Sequence, residues 1–291
     1  MNTNLPLIMP TIDGWLKVAT SQLSKIGIAS SRLDAEILLS FSMQKERTYL
    51  HAHSEKKLVR KTLFTANTRL KRRLNREPMA YIIGYKEFYG RLFSVTPHTL
   101  IPRPESESII DILSDILKTK PFKTEQKINL IDIGTGTGCL GITAKLEYPK
   151  LNVTLSDISK CAIRIAKKNA KNLSANVDII QSDLLKNYLM SPRIIIANLP
   201  YVNKNWKRSA ETNFEPSKAL FAKDGGTSEI KKLIDESSKK IHSGGYLIIE
   251  ADLSQHDTLV AYAKKLLFLH VGTLDYAIAL KLKTNTSKTR K

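Results

Sequence analysis

Ile131-Asp132-Ile133-Gly134-Thr135-Gly136-Thr137-Gly138 is an apolar run that carries one carboxylate and breaks into three glycines at alternate positions. Such a stretch reads as a strand that turns sharply into a helix, with glycines letting a ligand approach closer to the backbone than any Cβ permits. Asp157 follows 25 residues beyond Asp132, just after a second apolar run, where a carboxylate can accept both hydroxyls of a ribose. Together they predict a bound nucleoside. Gly136, Gly138 and Gly141 also satisfy the dinucleotide spacing G-x-G-x-x-G. In that fold the first glycine follows the strand directly. Here Gly134 takes that place, which favours S-adenosylmethionine over a nicotinamide dinucleotide. Two plainer readings stand beside this one: Asp157 could cap a helix starting near Ser159, and Gly141 could simply allow close helix packing.

Around this loop, strands and helices alternate. After a helical stretch from Ser106 to Leu117 come strands at Ile128–Ile133, Asn152–Leu155, Val177–Gln181, Ile194–Ala197 and Tyr246–Glu250, with helices from Lys160 and near Thr258–Leu266 and a last strand around Tyr276–Leu282. The pattern predicts a mostly parallel sheet covered by helices. Upstream, Trp15, Ala19, Leu23 and Ile26, then Leu33, Ile37, Leu38 and Phe41, recur at helical spacing, with Ser31 and Asp34 placed to cap the second helix. A β-hairpin is expected between Glu87 and Pro104. The resulting division is a helical domain at 1–84, a hairpin linker at 85–104, a catalytic domain at 105–283 and a basic tail at 284–291.

A second constellation, Asn198-Leu199-Pro200-Tyr201, follows the strand Ile194–Ala197. It therefore sits at the carboxyl end of a strand, where open α/β sheets place ligands. The nitrogen of an amide or an adenine amino group is a poor nucleophile, because its lone pair is delocalised. The Asn198 side-chain oxygen and the Leu199 carbonyl can accept its two hydrogens and oppose the charge that grows on it. Pro200 keeps Leu199 extended, and the Tyr201 ring can pack on a planar target. An isolated Asn-x-Pro-Tyr would be an ordinary turn; its place on the fourth strand after the glycine loop argues for a site.

Composition bounds the rest. The 291 residues carry a formal charge of +19, which either marks a nucleic-acid partner or a solvated lysine-rich surface. The charges are spread along the chain without interleaved aromatics, so the second reading is preferred, and Lys281, Lys283, Lys288, Arg290 and Lys291 read as a frayed tail. No apolar run approaches the length of a membrane span, and Met1–Thr11 has no export pattern, so a cytoplasmic protein is expected. Cys139 and Cys161 have neither metal nor disulfide spacing and read as buried, reduced thiols, with no metal site.

The chain resembles the HemK/PrmC family of release factor N(5)-glutamine methyltransferases. The likeness rests on Arg32-Leu33-Asp34-Ala35-Glu36, Arg76-Glu77-Pro78, Thr99-Leu100-Ile101-Pro102-Arg103-Pro104-Glu105, the glycine loop, Gln181-Ser182-Asp183, the Asn198 signature, Glu215-Pro216 and Asp224-Gly225-Gly226. It implies a Rossmann-like methyltransferase domain, with a seven-stranded, mostly parallel sheet and helices on both faces, preceded by a small helical bundle. It further implies that Gly134, Thr135, Gly136, Thr137, Gly138, Asp157, Asp183, Leu184 and Asn198 hold S-adenosylmethionine. Residues Asn198–Tyr201 would grip the glutamine of a Gly-Gly-Gln loop in a peptide chain release factor, and the enzyme would act as a monomer. Leu199 departs from the family's usual proline and matches the form found in adenine N6 dimethyltransferases of ribosomal RNA. Those enzymes place their extra domain after the catalytic one, so the N-terminal helices and the Ile101-Pro102-Arg103-Pro104 stretch favour glutamine. Adenine methylation of RNA or DNA, and glutamine methylation of a ribosomal protein, are the alternatives.

Overall fold

Apolar residues at helical spacing drive residues 9–84 into five helices, described in a computed structural model that covers residues 9–119, 122–125 and 127–284. These are α1 (Ile12–Lys25), α2 (Ser31–Met43), α3 (Arg47–Ala52), α4 (Arg60–Leu74) and α5 (Met79–Ile83). Thr11 caps α1 by accepting from the Gly14 amide, and Ile12, Trp15, Leu16, Ala19 and Leu23 form its buried stripe. They pack on Leu38, Leu39, Leu50, Ala66 and Leu70. The capping expected of Ser31 and Asp34 is not observed. Asp34 turns inward instead, accepting from Ser30 Oγ at 2.9 Å and from Arg73 Nε at 2.7 Å. A buried guanidinium competes more strongly for that carboxylate than exposed helix amides do. Glu36, also buried, takes Arg32 and Arg47, each at 2.7 Å. Burial alone would raise its pKa, but these two hydrogen-bonded arginines outweigh that and hold it below the usual range.

The chain divides into two compact units. One contains the residues up to 84 together with 210–214; the other contains 85–209 and the residues from 215 onward. The hairpin stretch 85–104 thus clusters with the sheet. Its strands β1 (Tyr85–Phe88) and β2 (Arg91–Ser94) pair antiparallel around Tyr89-Gly90, both at positive φ, as a tight hairpin turn requires. Phe88 and Phe93 are buried edge to face at 6.2 Å.

The larger unit continues α6 (Glu107–Leu117), β3 (Ile128–Ile133), α7 (Cys139–Glu147), β4 (Leu151–Asp157), α8 (Lys160–Asn172), β5 (Asp178–Gln181) and β6 (Ile194–Ala197). Then come α9 (Ser217–Leu220), α10 (Ser228–Lys240), β7 (Tyr246–Glu250), α11 (His256–Lys265), β8 (Phe268–Leu274) and β9 (Ala277–Leu282). The seven strands lie in the order β5-β4-β3-β6-β7-β9-β8; the first five are parallel, and β9 runs antiparallel to both β7 and β8. Alternate side chains of the apolar strands face opposite ways. Leu130, Ile194, Ile196 and Ile248 pack with α6, α7 and α8, while Ile131, Ile195, Leu247 and Ile249 pack with α10 and α11. The fold is the Rossmann-like methyltransferase sheet with helices on both faces.

One detail differs from the sequence reading. Lys281 lies inside β9, with its Nζ 5.2 Å from the centre of the Tyr246 ring, and so is no part of a tail. Lys288, Arg290 and Lys291 lie outside the described residues. Among the described residues, no helix is long and apolar enough to cross a membrane.

Candidate active site

Register decides which residues meet. Ile133 pairs with Ser156 on one side and Ala197 on the other, Asp157 pairs with Gln181, and Ala197 pairs with Ile249. One residue further on, Gly134, Asn198 and Glu250 leave neighbouring strands at one level, beside Asp157. All four are at the carboxyl ends of parallel strands, where this sheet type opens a crevice.

A cavity of about 620 Å³ fills that crevice. Gly134, Thr135, Gly136, Thr137, Asp157, Asp183, Leu184, Asn198, Leu199 and Pro200 all line it. Gly138 and Tyr201 do not; Gly138 sits at the N-cap of α7 with φ 84°, turning the loop into the helix. Cys139 and Cys161 line the same cavity, each half-buried and free of a disulfide, and Arg164 Nη2 donates to Cys161 Sγ at 3.0 Å. Burial pushes the Cys139 thiol up to about 12.

The loop is held from beneath. Asp132 accepts from the Thr135 hydroxyl and, at 2.9 Å, from the Gly141 amide, while its other oxygen has no hydrogen-bond partner among the described residues. Burial pushes this carboxyl up to about 7, against those two hydrogen bonds. Gly141 has no room for a side chain, since a Cβ would run into Leu155 and come within 3.0 Å of Asp132, so its place in the spacing is explained by packing. Asp157 does not cap α8; Ser159 does, accepting from Ala162. Asp157 instead accepts from the Gly136 amide at 2.9 Å and the Ser159 amide at 2.8 Å. Burial raises its pKa, and these amides oppose the rise. Asp183, half-exposed, pairs with Lys186.

Asn198 donates its amide hydrogen to Ser106 Oγ at 2.8 Å, which fixes the plane of the side chain. Leu199 is buried, and a Cβ on Gly134 would come within 2.8 Å of its Cδ2, so this side chain props the glycine loop. Tyr201 donates from its hydroxyl to Glu250 Oε1 at 3.0 Å. Burial and the facing carboxylate raise the Tyr201 pKa, so the phenol stays protonated. Glu250 is itself raised by burial, opposed by Ser106, Tyr201 and Asn198.

Ser106, Glu250 and Asn169 were not singled out by motif, whereas Glu215 was. Ser106 and Glu250 stand 92 and 49 residues from their partners in the Asn198–Tyr201 segment. Asn169 ties the glycine loop to the hairpin, donating to the Thr137 carbonyl at 2.8 Å and to the Ser94 carbonyl at 3.0 Å. Glu215 accepts from the Ile101 amide at 3.1 Å and pairs with Arg103, so the Thr99–Arg103 wall of the cavity is fastened by the distant Glu215-Pro216 motif. Only the pairing of register and long-range contact reveals these roles.

Residues 14–84 match the PrmC N-terminal domain family and residues 106–261 the methyltransferase small domain family. The chain is 34% identical to a release factor glutamine methyltransferase of Aliivibrio fischeri, over 92% of this chain and 94% of that one. It is 36% identical to a protein of the same name from Koribacter versatilis, over 82% and 85%. A bifunctional methyltransferase of Rickettsia bellii is 34% identical over 85% of this chain, which spans about half (49%) of that relative's length. Among solved structures, a methyltransferase from Pyrococcus furiosus superposes with a TM-score of 0.50 over 75% of this chain and 99% of its own, at 18% identity, a likeness of fold. The identity shared with full-length relatives on both sides of the hairpin leaves one assignment: the chain belongs to the release factor glutamine methyltransferase family.

Proposed function

We propose that this protein transfers a methyl group from S-adenosylmethionine to the side-chain amide nitrogen of the glutamine in the Gly-Gly-Gln loop of a peptide chain release factor. The observation that carries the reading is the anchoring of Asn198. With its NH2 group tied to Ser106, its oxygen remains as a fixed acceptor at the cavity wall, next to the Leu199 carbonyl.

The cavity lining suits S-adenosylmethionine. The glycine loop turns through positive φ at Gly134 and Gly136, where no Cβ projects into the cavity. Asp157 keeps lone pairs beyond its two amide contacts, suited to a ribose diol. Gly134–Thr137, Asp157, Asp183, Leu184 and Asn198 would hold the group, with Gly138 shaping the loop behind them. When bound, S-adenosylmethionine would supply an electrophilic methyl on a sulfonium and, once that carbon–sulfur bond breaks, be left as the neutral thioether S-adenosylhomocysteine.

The chain's own task is to hold the acceptor. An amide nitrogen presents its lone pair only if both N–H bonds are directed elsewhere, and the Asn198 oxygen and Leu199 carbonyl provide two acceptors on one edge. As the nitrogen–methyl bond forms, positive charge grows between these oxygens, which oppose it without reorganising. The nitrogen then gives up one proton to solvent, leaving a neutral N-methyl amide. Placement, rather than a strong base, supplies most of the rate.

Incubation with radiolabelled S-adenosylmethionine and either a release factor or bulk RNA tests the reading. Label in the release factor supports it. Label confined to RNA would favour adenine as the acceptor, the reading to which Leu199 and the charge of +19 lend weight.

A further inference from the structure

We propose that Gln255 is a positioning residue for methyl transfer, a buried amide that sets the path of the acceptor segment Asn198–Tyr201; this rests on the role proposed above for that segment. Gln255 does not line the cavity and is 5% exposed. Every polar atom of its side chain is used. Its Oε1 accepts from the Asp252 amide at 3.1 Å, and its Nε2 donates to the Tyr201 carbonyl at 2.9 Å and to the Gly225 carbonyl at 2.8 Å.

The other end of Tyr201 is held from the same direction. Its hydroxyl is bound by Glu250, the last residue of β7, five positions before Gln255. One stretch of chain therefore grips both the carbonyl and the phenol of a single residue. Gly226, at φ 94°, is the third member. A Cβ there would overlap the Tyr201 carbonyl and the Gln255 amide, so only glycine lets the three stretches meet.

The chemistry selects an amide at this place. Two backbone carbonyls need two donors, and one backbone N–H needs an acceptor, which a glutamine supplies without charge. A lysine or arginine would bury an unpaired cation, and an ionised glutamate would set an anion against two carbonyl dipoles. Losing this strut frees the Tyr201 carbonyl and lets the Asn198 and Leu199 acceptors drift, and a displacement of about 1 Å costs on the order of a hundredfold in rate.

The test compares wild type with Gln255→Glu on whichever acceptor wild type methylates, measuring kcat from about pH 6 to about pH 9, with cofactor affinity by calorimetry. The expected result is a drop in kcat of roughly a hundredfold at high pH, with cofactor affinity falling by less than about tenfold, because Asp157 and the glycine loop share no hydrogen bond with Gln255 and Asn198 alone of the cofactor-holding residues would shift. The deficit should shrink as pH falls, because a protonated glutamate regains one donor. Gln255→Met, of similar length and without donors, should lose kcat with no recovery at low pH, and serves if the glutamate variant does not fold. Wild-type kcat in either variant, or a deficit independent of pH in Gln255→Glu, would overturn the proposal. So would loss of cofactor affinity in parallel with kcat. Failure of wild type to label any release factor would instead count against the acceptor reading, and leaves the comparison of variants intact.

Discussion

The Gly136 amide donates to Asp157 Oδ2 at 2.9 Å, joining the glycine loop after β3 to the end of β4. The contact makes Asp157 do two things. It braces the loop, and it presents its remaining lone pairs to the cavity.

Asp157→Ala should therefore weaken cofactor binding more than loss of one ligand contact alone. Removing a charged acceptor costs about 1.5–3 kcal/mol, so calorimetry should show the dissociation constant for S-adenosylmethionine rising by roughly ten- to a hundredfold. Unchanged affinity would mean that the ribose lies elsewhere.

Cys161 lines the cavity at the first turn of α8. Bound S-adenosylmethionine should slow its alkylation, read by mass spectrometry of the labelled peptide. Cys139, whose thiol is pushed up to about 12, should react slowly with or without ligand. Alkylation of Cys161 at the same rate in saturating ligand would place the cofactor outside this cavity.

Asp132 gives a pH signature in stability. Burial lifts its carboxyl from 3.8 to about 7, so the folded state retains a proton that the unfolded chain has released. Its favourable contribution is present below pH 3.8, falls as pH rises through that window, and is gone above about 7. Asp132→Asn cannot ionise. The melting temperature of wild type, relative to this variant, should fall steadily between about pH 4 and about pH 7. A constant difference across that range would contradict the burial argument.

Leu199 takes the place of a proline, yet it is 6% exposed and packs against Gly134. Leu199→Pro keeps the carbonyl and restrains φ, so turnover should change less than about threefold. The smaller ring leaves space beneath the glycine loop and should cost about 1 kcal/mol of stability. Abolished turnover with an intact fold would show that the leucine side chain itself is needed.

Much of the fold was legible, for physical reasons that differ along the chain. Ile194–Ala197 and Tyr246–Glu250 are buried throughout, and so read as near-continuous apolar runs, as does Ile128–Ile133 apart from Asn129 and Asp132. The strand Phe268–Leu274 escaped notice because it is an edge strand with mostly exposed residues and an irregularity between His270 and Gly272. Helix Ser228–Lys240 likewise carries few apolar residues, with Ile230, Leu233 and Ile234 as its buried stripe. At the site, local motifs drew attention to Gly134, Asp157 and Asn198. What holds them lay largely out of reach, because Ser106, Glu250 and Gln255 are brought in by sheet register and by contacts across 49 to 92 residues. A single polar residue far along the chain carries no periodicity that would mark it.

The most direct measurement is mass-spectrometric mapping of a release factor after incubation with this protein and S-adenosylmethionine, beside the same reaction with Asn198→Ala. A single added methyl on the side-chain nitrogen of the Gly-Gly-Gln glutamine, lost or reduced at least about a hundredfold with Asn198→Ala, is the expected result. A methyl on any other residue, an unmodified release factor beside methylated adenine in RNA, or full activity in the alanine variant would contradict the account.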